Sequence, residues 1–489
     1  MTPSSTRRLG TALLALAAAT APAQTPAPTR PAPRLGIAEA ERTITGEALL
    51  ADIRRLASDG FRGRAVGTRG EDSAVAYIAE QMQRVGLAPG SGDGTYVQRV
   101  PLVGTTSQLR ASATVGGRAM ELRQLDDIIA WSQRPDTLVR VDTSQLVFVG
   151  YGVVAPEYGW NDFKNVDVRG KTVVMLIGDP PIPMSVDSTR LDPRVFRGEA
   201  MTYYGRWTYK YETAAARGAA AAIIVHQTGP AGYGWSVVAS NVRERFEVAG
   251  APAHVPVEGW MQLEVARRLF AAGGHSFDSL ERAARTRAFR PVSLGGTASF
   301  QVRNAVRRVE SRNVIGRLDG SDPALRTEYV VYTSHWDSFG VGRPVGGDSI
   351  YNGALDDASG VAWMLASARA FRALPRPPRR TLVFVAFTAE ESGLLGARYY
   401  AQRPPYPLER TLANVNMDIM NPWGRAGSIV SLGYGQSTLE DLLAREAAAD
   451  RRTVKPDPEP EKGYFYRGDH FELVRHGVPA LGFLFPGTD

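Results

Sequence analysis

The chain has 489 residues, of which 44% are hydrophobic, so it is long enough for more than one ordinary domain with a substantial core. It has no cysteine, which excludes disulfides, thiolate zinc sites and a cysteine nucleophile. Its formal net charge is +7, but the 57 basic residues are scattered along the chain, so we predict no nucleic-acid binding.

Residues 1–23 have the layout of a secretory signal peptide. Two arginines precede an apolar run, Leu9 to Ala19, which is too short to span a bilayer, and Ala21-Pro22-Ala23 supplies small residues for cleavage. We therefore expect export to the periplasm or outside of a bacterium, and no stable membrane insertion. The alternative is a disordered Ala- and Pro-rich tail. Residues 24–43 are predicted to be a Pro/Ala-rich linker.

The segment from residue 44 to residue 140 begins with a helical pattern. Gly46 to Leu87 predicts two helices, because apolar residues recur at helical spacing on both sides of a Gly-rich turn. That turn, Arg62 to Gly70, could be mistaken for a phosphate-binding loop. It lacks the Lys-Ser/Thr ending and a preceding strand, so we interpret it as a packing turn. Tyr96–Val103 and Gln108–Leu122 are predicted to be strands.

Residues 141–262 have a different pattern of short apolar segments, which predicts a smaller β-rich insert. Its short apolar strands are predicted at Leu146–Tyr151, Thr172–Gly178 and Ala221–His226, and a Tyr- and Ala-rich helix at Tyr203–Gly218. Three histidines lie in this segment or just after it, away from the other polar clusters, and we interpret them as structural or exposed: His226, His254 and His275.

Residues 263–489 place polar side chains at the ends of successive buried strands. Strands are predicted at Glu328–Ser334, Thr381–Phe387 and Leu412–Met417. The polar residues that follow these strands or the loop between the first two are His335, Asp337, Asp356, Asp357, Glu390, Glu391 and Asp418. The order predicts an α/β fold with a mixed, mostly parallel sheet and helices on both faces. Such sheets carry their sites at the carboxyl ends of strands, so these side chains should converge.

A metal would explain this convergence. Crowded carboxylates repel one another and take up protons unless a cation compensates them. Zinc accepts histidine nitrogen and carboxylate oxygen, and a pair of zinc ions can share a bridging carboxylate. Asp356 is the natural bridge. One of the two adjacent glutamates can ligate while the other takes a proton from water.

Four ordered motifs resemble the co-catalytic zinc exopeptidases of family M28. They are His335-x-Asp337, Gly353 to Gly360, Glu390 to Gly396 and Asn416-Met417-Asp418. The resemblance implies that His335, Asp356 and Asp418 hold one zinc, that Asp356 and Glu391 belong to a second, and that Glu390 is the general base. It also implies that Asp337 bonds the other ring nitrogen of His335, and that the Asp356–Asp357 peptide is cis.

The insert is similar to the protease-associated (PA) domain often found in these peptidases. The similarity rests on Gly150-Tyr151-Gly152, on Val168 to Lys171 and on Ala214 to Ala219. It implies a lid over the substrate cleft. The alternative is a spacer.

The C-terminal part departs from the family pattern. The second zinc's histidine lies, in the family, beyond the loop Tyr464 to His470, and neither His470 nor His476 occupies the matching position. We interpret this as a truncated sequence with an incomplete second zinc site, the alternative being loss of the second metal. His470 is a weak substitute ligand. Tyr464 and Tyr466 are alternative candidates to steady the oxyanion.

The function predicted is therefore that of an exported zinc exopeptidase acting on peptides, most simply an aminopeptidase. Carboxypeptidase, dipeptidase and glutaminyl cyclase activities stay open, as does a non-catalytic receptor-like protein of the same fold. A serine hydrolase is disfavoured, because Gly-x-Ser-x-Gly does not occur. The oligomeric state is not indicated by the sequence.

Overall fold

The computed structural model describes residues 36–240 and 243–483. The helices are α1 (Ile37–Glu41), α2 (Gly46–Leu56), α3 (Arg69–Val85), α4 (Trp207–Ala216), α5 (Thr228–Ala231), α6 (Trp235–Ser240), α7 (Leu263–Ala272), α8 (Phe277–Ala284), α9 (Ser359–Ala373), α10 (Leu395–Gln402), α11 (Leu439–Ala449) and α12 (His470–Val474). The strands are β1 (Ala88–Pro89), β2 (Val97–Val115), β3 (Arg118–Leu122), β4 (Ile128–Trp131), β5 (Leu138–Phe148), β6 (Val154–Ala155), β7 (Trp160–Asn161), β8 (Thr172–Leu176), β9 (Ala221–His226), β10 (Arg245–Val248), β11 (Val257–Gln262), β12 (Val292–Leu318), β13 (Tyr329–His335), β14 (Gly340–Val345), β15 (Asp348–Tyr351), β16 (Thr381–Phe387), β17 (Thr411–Met417), β18 (Ser428–Leu432), β19 (Thr453–Pro456) and β20 (Ala480–Phe483).

The N-terminal predictions meet the structure only in part. The predicted signal peptide, residues 1–23, lies outside the described residues. The predicted linker extends to residue 43, but its last part is not irregular, because Ile37–Glu41 forms a helix. The Glu39 carboxylate holds the start of this helix by accepting a hydrogen bond from Gly36 N at 2.8 Å. No helix in the described part of the chain is both long and apolar enough to cross a membrane.

One mixed sheet connects the catalytic part to the insert. Its main path runs β19-β18-β20-β17-β13-β16-β12-β5-β8-β9-β11-β4. Three neighbouring strands, β17, β13 and β16, are parallel to one another. On the other side of β12, the strands β5, β8, β9 and β11 are also parallel. The predicted α/β class with a mostly parallel sheet is confirmed.

The long strand β12 joins these two halves. Its start pairs with β5 and its end pairs with β16, both antiparallel. It also pairs with β2 without interruption, from Val314 against Val97 to Gly296 against Val115. This continuous partner explains a wrong prediction, because the two strands expected within 96–122 are a single strand up to Val115 followed by β3. The domain boundaries 141 and 262 stay a prediction.

Helices cover both faces of the catalytic half of the sheet. Successive residues of a strand point to opposite faces. Accordingly, Phe384 packs with α2, α3 and α9 on one face, while Val383 and Val385 pack with α10 and α12 on the other. The fully buried Thr381–Phe387 segment therefore lies at the centre of the fold. Its rigid end carries the two glutamates.

Candidate metal centre

The register of the parallel strands brings the predicted site residues to one edge of the sheet. His335, the last residue of β13, pairs with Phe387 of β16, three residues before Glu390. Thr333 pairs with Asn416 of β17, which places Asp418 beside His335. Parallel strands end at the same edge, so three ligand-bearing segments meet there. Asp356 reaches the same edge from the turn Ala354–Ala358 that precedes α9.

The His335 ring is buried and faces three carboxylates. Its Nε2 lies 3.1 Å from Asp356 Oδ1, 3.6 Å from Asp418 Oδ1 and 3.9 Å from Glu390 Oε2. Despite these distances, Nε2 has no hydrogen-bond partner of acceptable geometry within the described residues. A buried ring nitrogen is ordinarily paired. This nitrogen is instead oriented as a metal ligand would be.

The adjacent aspartates have different environments. The peptide between Asp356 and Asp357 is cis, as the family resemblance implied. Asp357 is fully buried, and its carboxylate accepts hydrogen bonds from His335 N at 3.1 Å and from Gly360 N at 2.7 Å. Asp356 is 44% exposed in its side chain and turns toward His335 Nε2. Asp357 therefore anchors the backbone around the site, and Asp356 is available for a metal.

Asp357 is nevertheless close to the ligand atoms. One of its oxygens, an oxygen of Asp418 and a ring nitrogen of His335 all lie within 4.8 Å of one another. We assign it the anchoring role because two backbone donors already occupy its carboxylate. Its hydrogen bond from Gly360 N also satisfies a free backbone donor in the first turn of α9. Ser359 Oγ donates to Leu355 O at 2.7 Å and accepts from Met420 N at 3.1 Å.

Asp337 differs from its predicted role. The resemblance implied that its carboxylate bonds the His335 ring. In the structure Nδ1 lies 3.1 Å from the backbone carbonyl of Asp337 and 3.6 Å from its Oδ1. The carboxylate is turned away because it accepts hydrogen bonds from Glu390 N at 3.0 Å and Glu391 N at 3.3 Å. Asp337 thus fixes the tautomer of His335 through its backbone and orients the glutamate pair through its side chain.

Crowding and burial shift the titration of the glutamates. Burial, together with the charge of Asp418, raises the pKa of Glu390 well above its ordinary value, against the opposing effect of His335. Burial and Asp356 raise the pKa of Glu391 to about 8, and Glu391 Oε1 is buried without a hydrogen-bond partner among the described residues. Buried carboxylates that lack partners are the groups a divalent cation compensates. The donor set of one imidazole and several carboxylates fits zinc.

The other candidate residues of the sequence analysis, His470, Tyr464 and Tyr466, contact aromatic or basic side chains. His470 is fully buried and packs its ring against Phe465, 5.1 Å between centroids, and burial lowers its pKa to about 4. Tyr466 lies in an aromatic cluster with Tyr203 of the insert, and the Tyr464 ring lies 5.0 Å from the Arg467 guanidinium carbon. Each of the three histidines that we interpreted as structural or exposed forms a hydrogen bond within the protein. His226 pairs with Tyr233 O, His254 with Glu247 and Glu258, and His275 with Ser293 O.

Two arginines at the site had no assigned role in the sequence. Arg64 is fully buried beside the metal ligands, although the turn that contains it was interpreted only as packing. Arg243, from the insert, donates through Nη2 to the backbone carbonyl of Glu391 at 3.1 Å. For Arg64 the sequence did offer an indication of a role, because this charged residue lies within a Gly-rich turn. For Arg243 the sequence offered none.

Comparison with known proteins agrees with this geometry. Residues 313–489 match the family described as Peptidase family M28. "Aminopeptidase NAALADL1" of Mus musculus is 32% identical over 130 residues, 26% of this chain and 16% of that protein. "Aminopeptidase YwaD" of Bacillus subtilis is 31% identical over 141 residues, 28% of each protein. These matches therefore span less than a third of the curated relatives.

A solved structure supports the fold over most of the chain. The "Aminopeptidase from Aneurinibacillus sp. strain AM-1" aligns with 93% of this chain and 88% of its own, with a TM-score of 0.53 and 20% sequence identity. At this identity the likeness establishes the fold rather than the reaction. The sheet and its helices are those of a zinc aminopeptidase fold.

Proposed function

We propose, from the match of residues 313–489 to the family described as Peptidase family M28, that the chain is a zinc-dependent aminopeptidase that removes N-terminal residues from peptides. The observation that carries the proposal is the partnerless, buried Nε2 of His335 facing the carboxylates of Asp356 and Asp418. Two curated relatives named as aminopeptidases support the choice among exopeptidases.

The residues divide into ligands and a base. We assign His335, Asp356 and Asp418 to one zinc, and Asp356 with Glu391 to a second. Zinc at such a centre polarises a carbonyl and lowers the pKa of water. Glu390 accepts a proton at a carboxylate oxygen from the attacking water and delivers it to the leaving amine. Its Oε2 lies 3.9 Å from His335 Nε2, which places the carboxylate beside the assigned ligands.

The substrate cleft we propose lies between the insert and the catalytic part. A cleft of about 630 Å³ begins at Ser392 and Gly393, directly after Glu391, and continues between α4 of the insert and α12. Its volume is in the range of peptide-sized sites. Its walls carry four glutamates, two arginines and two histidines: Glu212, Glu247, Glu258, Glu472, Arg398, Arg475, His254 and His476. Arg243 reaches from the insert to Glu391, which supports a lid rather than a spacer.

A panel of aminoacyl-anilides, with and without chelator, tests the proposed function. We expect hydrolysis of substrates with an unblocked amino group, no hydrolysis of their N-acetylated forms, loss of activity with chelator and recovery with zinc. Hydrolysis of C-terminal residues from N-blocked peptides would instead indicate a carboxypeptidase. Zinc binding without turnover of either set would favour the receptor-like alternative.

Export is a separate proposal that rests on the pattern of residues 1–23. We propose that the mature protein begins after Ala23 and acts in the periplasm or outside the cell. N-terminal sequencing of protein expressed from the full gene in a bacterium tests it. A mature chain that still begins at Met1 would contradict export by this signal.

A further inference from the structure

The Gly-rich turn that the sequence marked only for packing places a fully buried guanidinium next to the metal centre. Arg64 is 0% exposed and stands at the end of the turn Asp59–Arg64. A buried arginine is uncommon and must satisfy its donors. Its hydrogen bonds therefore show what it does.

Arg64 binds backbone carbonyls on both chain segments that carry the proposed ligands. Nε donates to Trp336 O at 2.7 Å, between His335 and Asp337. Nη1 donates to Asn352 O at 2.7 Å and Nη2 to Gly353 O at 2.7 Å, in the loop that leads to Asp356. A further bond from Nη1 reaches Leu56 O, at the end of α2, at 2.8 Å. The planar guanidinium fork thus connects three segments: the residues after β13, the loop of residues 352–356 (the aspartate loop) and the end of α2.

The surrounding residues are shaped to admit this fork. Gly353 has a φ of +58°, and a Cβ there would lie 2.6 Å from Arg64 Nη2. On the other side of the turn, a Cβ at Gly70 would lie 2.3 Å from Phe61 O, so α3 can approach only because that residue is glycine. The Glu71 carboxylate accepts from Gly67 N at 2.6 Å and closes the turn. Gly353 in the aspartate loop and Gly70 at the end of the turn therefore both leave room for Arg64 and its turn.

The charge of Arg64 also matters at this place. Its guanidinium is attracted electrostatically to Asp357, Asp337, Asp356 and Glu391, which oppose the lowering of its pKa by burial. Lysine could supply the charge at this position. It could not supply the fork, because its ammonium group is a point charge, whereas the guanidinium presents five donors in a fixed plane.

We propose that Arg64 is a positioning residue of the metal centre: its guanidinium sets the separation between the segment that carries His335 and the loop that carries Asp356. The inference rests on the proposed function only in that a metal binds these two residues. It assigns to the turn a role in metal affinity and not merely in the stability of the fold.

Arg64→Lys tests the role of the fork with the charge retained. We expect zinc affinity, measured by competition with a chromophoric chelator, to fall by about 10–100-fold. The visible absorption of the cobalt-substituted protein should change, since it reports ligand geometry. The fold-decrease in kcat should be larger than the fold-change in KM, because the substitution displaces the metal ligands and not the groups that bind the peptide. Arg62→Lys is the matched control, since Arg62 lies in the same turn with an exposed side chain. It should leave all three readouts unchanged.

Asn352→Ala is the second variant, because it removes the side-chain hydrogen bonds of the same loop and leaves both the Arg64 side chain and the Asn352 carbonyl that it binds in place. Asn352 Nδ2 donates to Ala57 O at 2.8 Å and to Asp59 Oδ1 at 3.0 Å. A smaller loss of zinc affinity with an unchanged circular dichroism spectrum supports the inference. If the Arg64→Lys protein does not fold, the zinc affinity of Asn352→Ala becomes the test of the inference.

Two results would overturn the inference. One is an Arg64→Lys protein with a lower melting temperature but wild-type zinc affinity and cobalt spectrum. The other is an Asn352→Ala protein with intact fold and unchanged affinity. Failure of the proposed function is distinguishable, because a wild-type protein that binds zinc but cleaves no peptide still permits both affinity measurements.

Discussion

Glu390 and Glu391 follow the same strand but their carboxylates have different neighbours. Glu390 Oε2 lies 3.9 Å from His335 Nε2, and Asp418 and Asp469 contribute to the rise in its pKa. The pKa of Glu391 is raised by burial and then by Asp356, which we assign as a ligand shared by both zinc sites. We predict that Glu390→Gln keeps bound zinc and lowers kcat by roughly 10²–10⁴, the usual worth of a general base. Metal analysis and steady-state kinetics on the same preparation measure both quantities.

Glu391→Gln is the matched variant at the neighbouring position. It should lose zinc from the second site, because an amide oxygen is a poorer zinc ligand than a carboxylate. The reverse pattern, with metal lost from Glu390→Gln and kept by Glu391→Gln, would show that the roles of base and ligand are exchanged.

The meeting of particular side chains at one sheet edge could be predicted, and their backbone contacts could not. His335, Asp356, Asp418 and the glutamate pair could be expected to converge because strand ends and the loop between them place them there. The hydrogen bonds that the Asp337 carboxylate accepts from Glu390 N and Glu391 N could not be predicted, because only the folded sheet brings these groups within reach.

The segment just before β10 connects the insert to the catalytic part through Arg243. Its guanidinium carbon lies 4.2 Å from the centre of the exposed Phe339 ring, and its Nη2 donates to Glu391 O. Hydrogen bonds from charged donors contribute about 1.5–3 kcal/mol. We therefore predict that Arg243→Ala lowers kcat/KM by roughly 10-fold or more and also lowers the melting temperature by roughly a few degrees.

Arg194→Ala is the control for Arg243→Ala, because Arg194 also belongs to the insert but is 80% exposed and pairs with Asp192. It should leave kcat/KM unchanged. If Arg243→Ala behaves like this control, the insert does not act on the metal centre through Arg243, and the spacer interpretation gains support.

The loop before β11 holds a charged histidine between two buried glutamates. His254 Nε2 lies 2.7 Å from Glu247 Oε2 and Nδ1 lies 2.8 Å from Glu258 Oε1, and Glu247 also faces Arg398 of α10. Burial lowers the pKa of His254, but the hydrogen bonds to both glutamates outweigh it and raise the pKa to about 10. The imidazolium therefore holds two glutamates of the insert together, and one of them, Glu247, also pairs with Arg398 of the catalytic part.

The sign of the resulting pH dependence follows from linkage. The pKa of His254 is higher in the folded than in the unfolded chain, where it is about 6.5. Its stabilisation is complete below about pH 6.5 and is lost as the pH rises through about 10. We predict that the melting temperature of the wild type falls more steeply from pH 7 to 9.5 than that of His254→Gln. Parallel curves for the two proteins would contradict a protonated His254.

Elements with one clear periodicity were predictable, and those shaped by long-range pairing were not. Thr381–Phe387 is buried on both faces and its predicted bounds are those observed. In contrast, β12 runs for 27 residues through buried and exposed positions because β2 and β5 pair along it. No local pattern in the sequence indicates partners that lie more than a hundred residues away.

At the scale of the whole molecule, the sheet edge collects more carboxylates than the buried His335 and Arg64 can neutralise. Burial raises the pKa values of Glu390 and Glu391, while carboxylate oxygens of Asp356 and Asp418 lie within 3.6 Å of His335 Nε2. A divalent cation removes this repulsion in the folded state and finds no equivalent site in the unfolded chain. Zinc should therefore stabilise the fold by about 4 kcal/mol when its free concentration is ~1,000-fold above its Kd. Thermal melting with zinc and with chelator measures the difference.

The number of zinc ions follows from the donors that the described residues supply. One ion would have His335, Asp356 and Asp418, whereas the second would have only the carboxylates of Asp356 and Glu391. Zinc sites usually include nitrogen or sulfur donors, so two carboxylates should retain the ion poorly. We predict about one zinc per chain after dialysis and a second that binds only at higher free zinc.

His470→Ala is the decisive variant, because His470 is buried with both ring nitrogens unpartnered in the described part of the chain. Two tightly held ions, one of them released by this substitution, would identify His470 as the nitrogen ligand of the second site.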